Sequence, residues 1–313
     1  MPVTLAYKLT NLSIHYTNRT VPVFLKNKFI EVTIDLPQDN YQFSRFDWSG
    51  KIVDFKYRGI PITTTEKPFQ KDKDPFGKGF YNEFGIQDAL GFHEAPIGGW
   101  FHKIGVGLLK KDSEQYDFQK SYKIKPALFK SSHTSTKMVS SCKAQMSNGY
   151  AYVLTKQIVL EADGFKISYQ LHNTGSKVIE TNEYCHNFLN LVDAAINNRY
   201  SLEFPFILEP SQFSENTNPK RLVAISGPNI TTPKGLKNTI FMSNLSGSKY
   251  VNAKWLLQDK VKKIGISEQG DFLTNQLNLW AEPHVISPEL FVAIHIEPNE
   301  TFCWERRFSV HQL

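Results

Sequence analysis

Apolar and polar residues alternate at every second position along much of this chain, and almost no helical period competes with that pattern. This alternation is what most narrows its choice of fold. In Phe165-Lys166-Ile167-Ser168-Tyr169-Gln170-Leu171 the apolar side chains share one face and the polar ones the other, as in a strand buried on one side. Asp163-Gly164 precedes it and His172-Asn173-Thr174-Gly175-Ser176 follows it, both turn chemistry. Residues 150–160 and a strand starting at Val178-Ile179 therefore flank it. Residues 290–296 and 301–310 form a last pair around Glu297-Pro298-Asn299-Glu300. Residues 40–48 and 51–60 form an early pair around Ser49-Gly50. No long segment holds a capped helical period, and short helical pieces are expected only near 209–214 and 284–290. Many short strands at intervals of about 8–12 residues predict an all-β sandwich or barrel.

A length of 313 residues would allow two domains. No repeat, low-complexity linker or composition break divides the chain, so one domain over 1–313 is expected. The 23 phenylalanines and 13 tyrosines supply enough apolar surface to exclude a disordered chain. No apolar run approaches the roughly 20 residues of a membrane-spanning helix. The opening MPVTLAYKLTNLSIHY lacks a basic start followed by an apolar block, so a cytoplasmic protein is expected, away from membranes. Cys142, Cys185 and Cys303 form no CxxC pair, which argues against a disulfide framework or a structural zinc site and for three buried or half-buried thiols. The sequons at Asn11, Asn18, Asn229, Asn244 and Asn299 carry no weight without a secretion route. The net charge of +6 is dispersed, which excludes nucleic acid as the expected partner.

Three segments concentrate chemistry. The first runs from Asn82-Glu83-Phe84-Gly85 through Gly91-Phe92-His93-Glu94 to Trp100-Phe101-His102-Lys103-Ile104-Gly105-Val106-Gly107, with seven glycines from Gly79 to Gly107. Glycine lets backbone approach a ligand, and Trp100 offers a flat face for a sugar ring. The spacing fits neither a dinucleotide fingerprint nor a phosphate loop. The second is Thr181 to Leu191, where alternation puts Asn182, Tyr184, His186 and Phe188 on one face. The third is Trp280-Ala281-Glu282-Pro283-His284, just before the last strand pair. The polar, Lys-rich segment 63–81 reads as a long loop, a common place for function. No HExxH or HxH spacing occurs, so no metal and no cofactor are expected.

Taken together, these segments resemble the galactose mutarotase (aldose 1-epimerase) superfamily. Tyr184-Cys185-His186-Asn187-Phe188-Leu189-Asn190-Leu191 resembles its Thr-Asn-His-x-Tyr-Phe-Asn-Leu motif. Ile296-Glu297-Pro298-Asn299-Glu300-Thr301-Phe302 is similar to its Leu-x-Pro-Gly-Glu-x-Tyr ending. Arg45-Phe46-Asp47-Trp48-Ser49-Gly50 and Phe101-His102-Lys103-Ile104-Gly105-Val106-Gly107 resemble segments of a less characterised bacterial branch. The resemblance spans roughly 30–310. It implies a large antiparallel supersandwich with few short helices. It also implies ring-opening interconversion of α and β anomers, with His186 as catalytic acid and Glu282 as catalytic base. An ionised glutamate and a protonated histidine suit that chemistry near neutral pH.

His93, His102, Lys103, Arg45, Glu83 and Trp100 are the expected sugar-binding residues. Lys103 has a competing role, as the structural partner of a buried carboxylate such as Glu83. His284 faces either the site or solvent, and His172, His295 and His311 are expected to be structural, His295 in a core strand. The family's His-Gly-Gly segment is missing, and neither Asn18-Arg19 nor Asn198-Arg199 fits its Asn-Arg pair. Two alternatives remain: a non-catalytic carbohydrate-binding protein of the same fold, or an epimerase acting on a sugar acid or sugar phosphate. Lys103 or Arg45 free in the cleft would mark the anionic substrate. A monomer and a homodimer are equally compatible with the sequence.

Overall fold

The computed structural model describes residues 22–37, 39–191 and 195–313. Asn11, Asn18 and Arg19 lie outside them. Two large antiparallel sheets face each other. The first runs, in spatial order, Val23–Lys26, Ile30–Asp35, Lys51–Tyr57, Phe80–Phe84, Ile179–Asn187, Val285–Ile296, Leu277–Glu282, Ile240–Ser243 and Glu215–Thr217. The second centres on Val251–Asp259, Ile264–Thr274, Thr301–Gln312, Gly164–Asn173 and Tyr152–Leu160. A small three-stranded sheet, Trp100–Lys103, Gly107–Lys110 and Ile124–Pro126, lies apart from both. Among the described residues no helix is long and apolar enough to cross a membrane.

The alternation read in the sequence places the core. Phe165, Ile167, Tyr169 and Leu171 are buried, while Lys166, Ser168 and Gln170 are not. Phe80 packs between Phe165 and Phe308, ring centroids 5.1 and 4.6 Å away. Burying one such side chain fully contributes roughly 1.5–3 kcal/mol.

Between the sheets the core also carries charge. Lys156 reaches Asp47 (3.3 Å) and Asn82 (2.9 Å), Asn82 donates to Glu183 (2.8 Å), and Arg306 joins Glu183 to Glu268 at 2.6 Å each. Trp304 and Trp255 donate their indole N–H groups to those two glutamates. Lys156, Asp47, Glu183, Arg306 and Glu268 are thus each partnered, as burial requires.

The outer face of the first sheet is buried too. A second apolar cluster of Tyr41, Phe43, Phe46, Trp48, Tyr81, Phe92, Phe101, Phe188 and Val285 covers it. Strand Phe80–Phe84 is thus buried along its whole length.

Four sequence expectations fail here. Residues 40–48 form an irregular segment, not a strand; their aromatic residues are spent on this covering layer. Residues 285–290 begin the long Val285–Ile296 strand in place of a helical piece; the only helical turn expected that does form is Pro210–Gln212. His295, expected in the core, points outward between Glu180 and Glu297, and Cys303, expected buried or half-buried, is exposed, while Cys142 and Cys185 are buried as expected.

Candidate active site

Three neighbouring strands of the first sheet build the site on its outer face. On Ile179–Asn187, alternation directs Glu183, Cys185 and Asn187 toward the second sheet, and Tyr184 and His186 the other way. Strand register sets Tyr184 opposite Glu83 and His186 opposite Tyr81. On the far side, Trp280 pairs with Ser287, Asn278 with Glu289, and Glu282 with Val285. The period of two therefore puts Tyr184, His186, Ser287, Glu289, Trp280 and Glu282 on one face.

His186 is 4% exposed. Its ring stacks on Phe188 (4.1 Å) and meets the edge of Trp280 at 5.3 Å. Ser287 Oγ lies 2.9 Å from its Nδ1, and Glu289 Oε1 lies 3.4 Å from its Nε2. Ser287 Oγ in turn accepts the Asn187 backbone N–H (3.0 Å) and donates toward Glu289 Oε1 (3.3 Å). Burial, helped by the charge of Arg45, holds the imidazole well below its usual pKa, so His186 is neutral at pH 7. This corrects the imidazolium expected from the sequence. Burial acts oppositely on Glu289 and raises its carboxyl to about 8, against the pull of Arg45.

Glu282 closes the other end of the face. Lys67, from the long 63–79 loop, forms an ion pair with it. The Lys67 ammonium also sits 5.7 Å above Trp280 and 5.8 Å above Phe76. His284 turns to the same loop, its Nε2 3.1 Å from the Thr65 carbonyl. The loop read as functional thus covers the Glu282 end of the face.

Arg45, Glu83 and Lys103 form a buried base beneath His186. Glu83 accepts from Arg45 Nε (3.0 Å), Lys103 Nζ (3.2 Å) and the Tyr184 hydroxyl (2.7 Å). Arg45 also reaches Glu66 (3.3 Å) and the Pro75 carbonyl (3.3 Å), and stacks over Phe46 and Phe118. Lys103 is further held by the Gly85 carbonyl and Tyr116.

The remaining candidates lie elsewhere. His93 is 74% exposed beside Asp88. His102 points away from Lys103, buried with its Nε2 3.1 Å from the Tyr150 carbonyl. The Trp100 ring is occupied by Lys125, whose ammonium lies 4.0 Å from its centroid. The structure does not bring these three to His186. Sequence reading passed over Glu289, Ser287, Glu66 and Lys67. For Ser287 and Glu289 the signal was available: they continue the period of two from Phe291.

No protein-family model matches the sequence, and no curated protein matches it. Solved structures do match. A protein from Synechocystis superposes with a TM-score of 0.62 at 12% identity, over 96% of this chain and 100% of that one. A galactose mutarotase-like protein from Lactobacillus casei gives 0.58 at 13% identity, over 93% and 100%. An aldose epimerase homologue from C. elegans gives 0.52 at 10% identity, over 94% and 100%. With its two facing antiparallel sheets, this chain has the galactose mutarotase-like β-sandwich fold.

Proposed function

We propose that the protein is a carbohydrate epimerase that interconverts the α and β anomers of a neutral aldose. One observation carries this reading. His186 and Glu282 stand on the same sheet face with the Trp280 ring between them, touching His186 on one side and Lys67, the partner of Glu282, on the other. A carboxylate base at one end, a proton-donating group at the other and an aromatic wall between them suit a pyranose. Glu282 takes the proton of the anomeric hydroxyl, and the His186 end protonates the ring oxygen as its bond to C1 breaks. Rotation about C1–C2 and reclosure give the other anomer. Positioned proton transfer of this kind contributes about 10²–10⁴-fold per group.

The charges favour a neutral sugar over a sugar acid or phosphate. Arg45 and Lys103 are both buried and committed to Glu83, and Lys67 is committed to Glu282. A carbohydrate-binding protein without turnover is the second reading, favoured by that same Lys67 pairing, which occupies the base.

The test is anomer-exchange NMR on a panel of aldoses, sugar acids and sugar phosphates, with wild type, His186→Ala and Glu282→Gln. Accelerated exchange of a neutral aldose, lost in both variants, supports the reading. Binding without acceleration would replace it with the binding protein.

A further inference from the structure

We propose that Glu289 is a further catalytic residue: its carboxyl, braced by His186 and Ser287, donates the proton to the ring oxygen. The inference rests on the epimerase reading and revises which group at the His186 end moves the proton.

Both nitrogens of His186 are engaged by protein, Nδ1 by Ser287 and Nε2 by Glu289. Ser287 Oγ already accepts the Asn187 N–H, so its own proton goes to His186 Nδ1 or to Glu289 Oε1. With the first choice Nε2 keeps its hydrogen and donates toward Oε1. With the second, Nδ1 donates to Ser287 and Nε2 accepts the carboxyl proton. Both arrangements accommodate a neutral carboxyl, but only the first leaves its proton on Oε2, and that is the donating arrangement. A neutral imidazole is a poor acid, because losing a second proton would leave an imidazolate. A neutral carboxyl is a competent one. Oε1 makes the contacts to both Ser287 and His186, which leaves Oε2 as the atom to meet a substrate.

The surroundings keep the carboxyl protonated. The carboxylates Glu66, from the 63–79 loop, and Glu83, from strand Phe80–Phe84, disfavour a third negative charge. Arg45, from the 40–48 segment, acts the other way, but it is held by Glu83 and Glu66. From strand Ile179–Asn187, Tyr184 directs its hydroxyl to Glu83. From Leu277–Glu282, the register partner of Glu289 is the uncharged Asn278. Burial dominates the balance and places the loss of the proton at about pH 8.

The step balances. The Glu289 O–H proton passes to the ring oxygen, which keeps the electron pair of the broken C1–O bond. Glu282 receives the anomeric hydroxyl proton, and the pair left on that oxygen completes the C1 carbonyl. Reclosure on the opposite face returns both protons, and nothing is oxidised or reduced.

The experiment has two arms on the full chain. In the first, carboxyl carbons are labelled with ¹³C in glutamate and the Glu289 resonance, assigned by its loss in Glu289→Gln, is followed against pH. In the second, anomer exchange is followed against pH in wild type and Glu289→Gln. Glutamine mimics the neutral carboxyl in shape, so the variant keeps its fold at pH 7, checked by near-ultraviolet circular dichroism. The expected result is a carboxyl titrating near pH 8, wild-type exchange falling with the same midpoint, and a loss of at least about 100-fold in Glu289→Gln. A carboxyl that titrates in the ordinary glutamate range, or a Glu289→Gln variant that keeps the wild-type rate and alkaline limb, overturns the proposal while leaving the epimerase reading intact. Titration near pH 8 with no exchange of any sugar overturns the donor role together with the epimerase reading.

Discussion

Arg45 and Glu83 meet at 3.0 Å, Nε to Oε2, with both side chains withdrawn from solvent, and Lys103 reaches the other oxygen of the same carboxylate at 3.2 Å. Two cations on one buried carboxylate form a rigid base beneath the candidate site. Removing one partner of a buried pair typically costs about 3–5 kcal/mol. Arg45→Met is expected near the lower end, about 3 kcal/mol, because Lys103 still neutralises Glu83 while Glu66 loses its cation. Arg45→Lys restores charge but not the forked geometry and recovers only part of the loss. Denaturant unfolding of the two variants and of Lys103→Met reads this directly; an Arg45→Met protein as stable as wild type would show that the pair holds nothing together.

Between the sheets, Arg306 serves Glu183 and Glu268 at 2.6 Å each. Arg306→Met strands two buried carboxylates and is expected to cost about 3–5 kcal/mol. Adding Glu183→Gln and Glu268→Gln removes the stranded charges. The triple variant is expected to be markedly more stable than Arg306→Met alone, although it has lost more native groups. Guanidinium midpoints for the two proteins decide it.

Gly105 has φ +80°, and a Cβ there would lie 2.3 Å from Asp47 Oδ1. That oxygen also accepts the Ser49 hydroxyl and backbone N–H, so it has little room to move. Gly59, at φ +78°, would meet nothing. Gly59→Ala isolates the left-handed backbone penalty, about 1–2 kcal/mol. Gly105→Ala is expected to exceed it clearly. Equal losses in thermal unfolding would mean that Asp47 yields at no cost.

Much of this architecture is legible in the alternation itself: Phe165 to Leu171, the strand around His186 and the closing pair all form where the pattern puts them. The pairing of Lys103 with Glu83 follows from a lysine set in an apolar Ile-Gly-Val-Gly context. What escapes is what local pattern does not encode. Tyr41, Phe43, Phe46 and Trp48 look like strand residues because they are aromatic and buried, yet they cover the back of a sheet formed by distant strands. Ser287-Pro288-Glu289 looks like a helix start, because proline is rare inside strands. Here Pro288 sits within the sheet, its carbonyl accepting from Asn187 at 2.6 Å. That misreading hid Glu289, the residue proposed above as the proton donor. Lys67 was hidden because its partner lies 215 positions away in sequence.

His102 makes the protein acid-sensitive. Burial lowers its pKa from 6.5 to about 4, and Nδ1 has no hydrogen-bond partner among the described residues, so a proton there would be buried unsatisfied. Between pH 6.5 and 4 the unfolded chain binds a proton that the folded one refuses. The stability from this residue is complete above pH 6.5 and falls as pH drops toward 4, by about 3 kcal/mol in all. His102→Gln keeps a donor for the Tyr150 carbonyl and does not titrate. Urea unfolding at pH 7 and pH 4 is expected to show a smaller loss in the variant than in wild type. Parallel losses would place the acid sensitivity in other groups.

Lys67 and Glu282 separate stability from activity at the mouth of the site. The lysine side chain is 36% exposed, and pairs open to solvent contribute at most about 1 kcal/mol. Lys67→Met should therefore leave the unfolding midpoint nearly unchanged. In the proposed epimerase reaction, a sugar that delivers its anomeric hydroxyl to Glu282 must first displace the ammonium. Removing it returns that same energy, so exchange at low sugar concentration is expected to rise by up to about fivefold. High salt, which screens the pair, is expected to raise the wild-type rate and to leave the variant unaffected. If Lys67→Met instead lowers the rate, the lysine grips the sugar and does not merely cover the base. Measuring exchange in both proteins at two salt concentrations separates these roles.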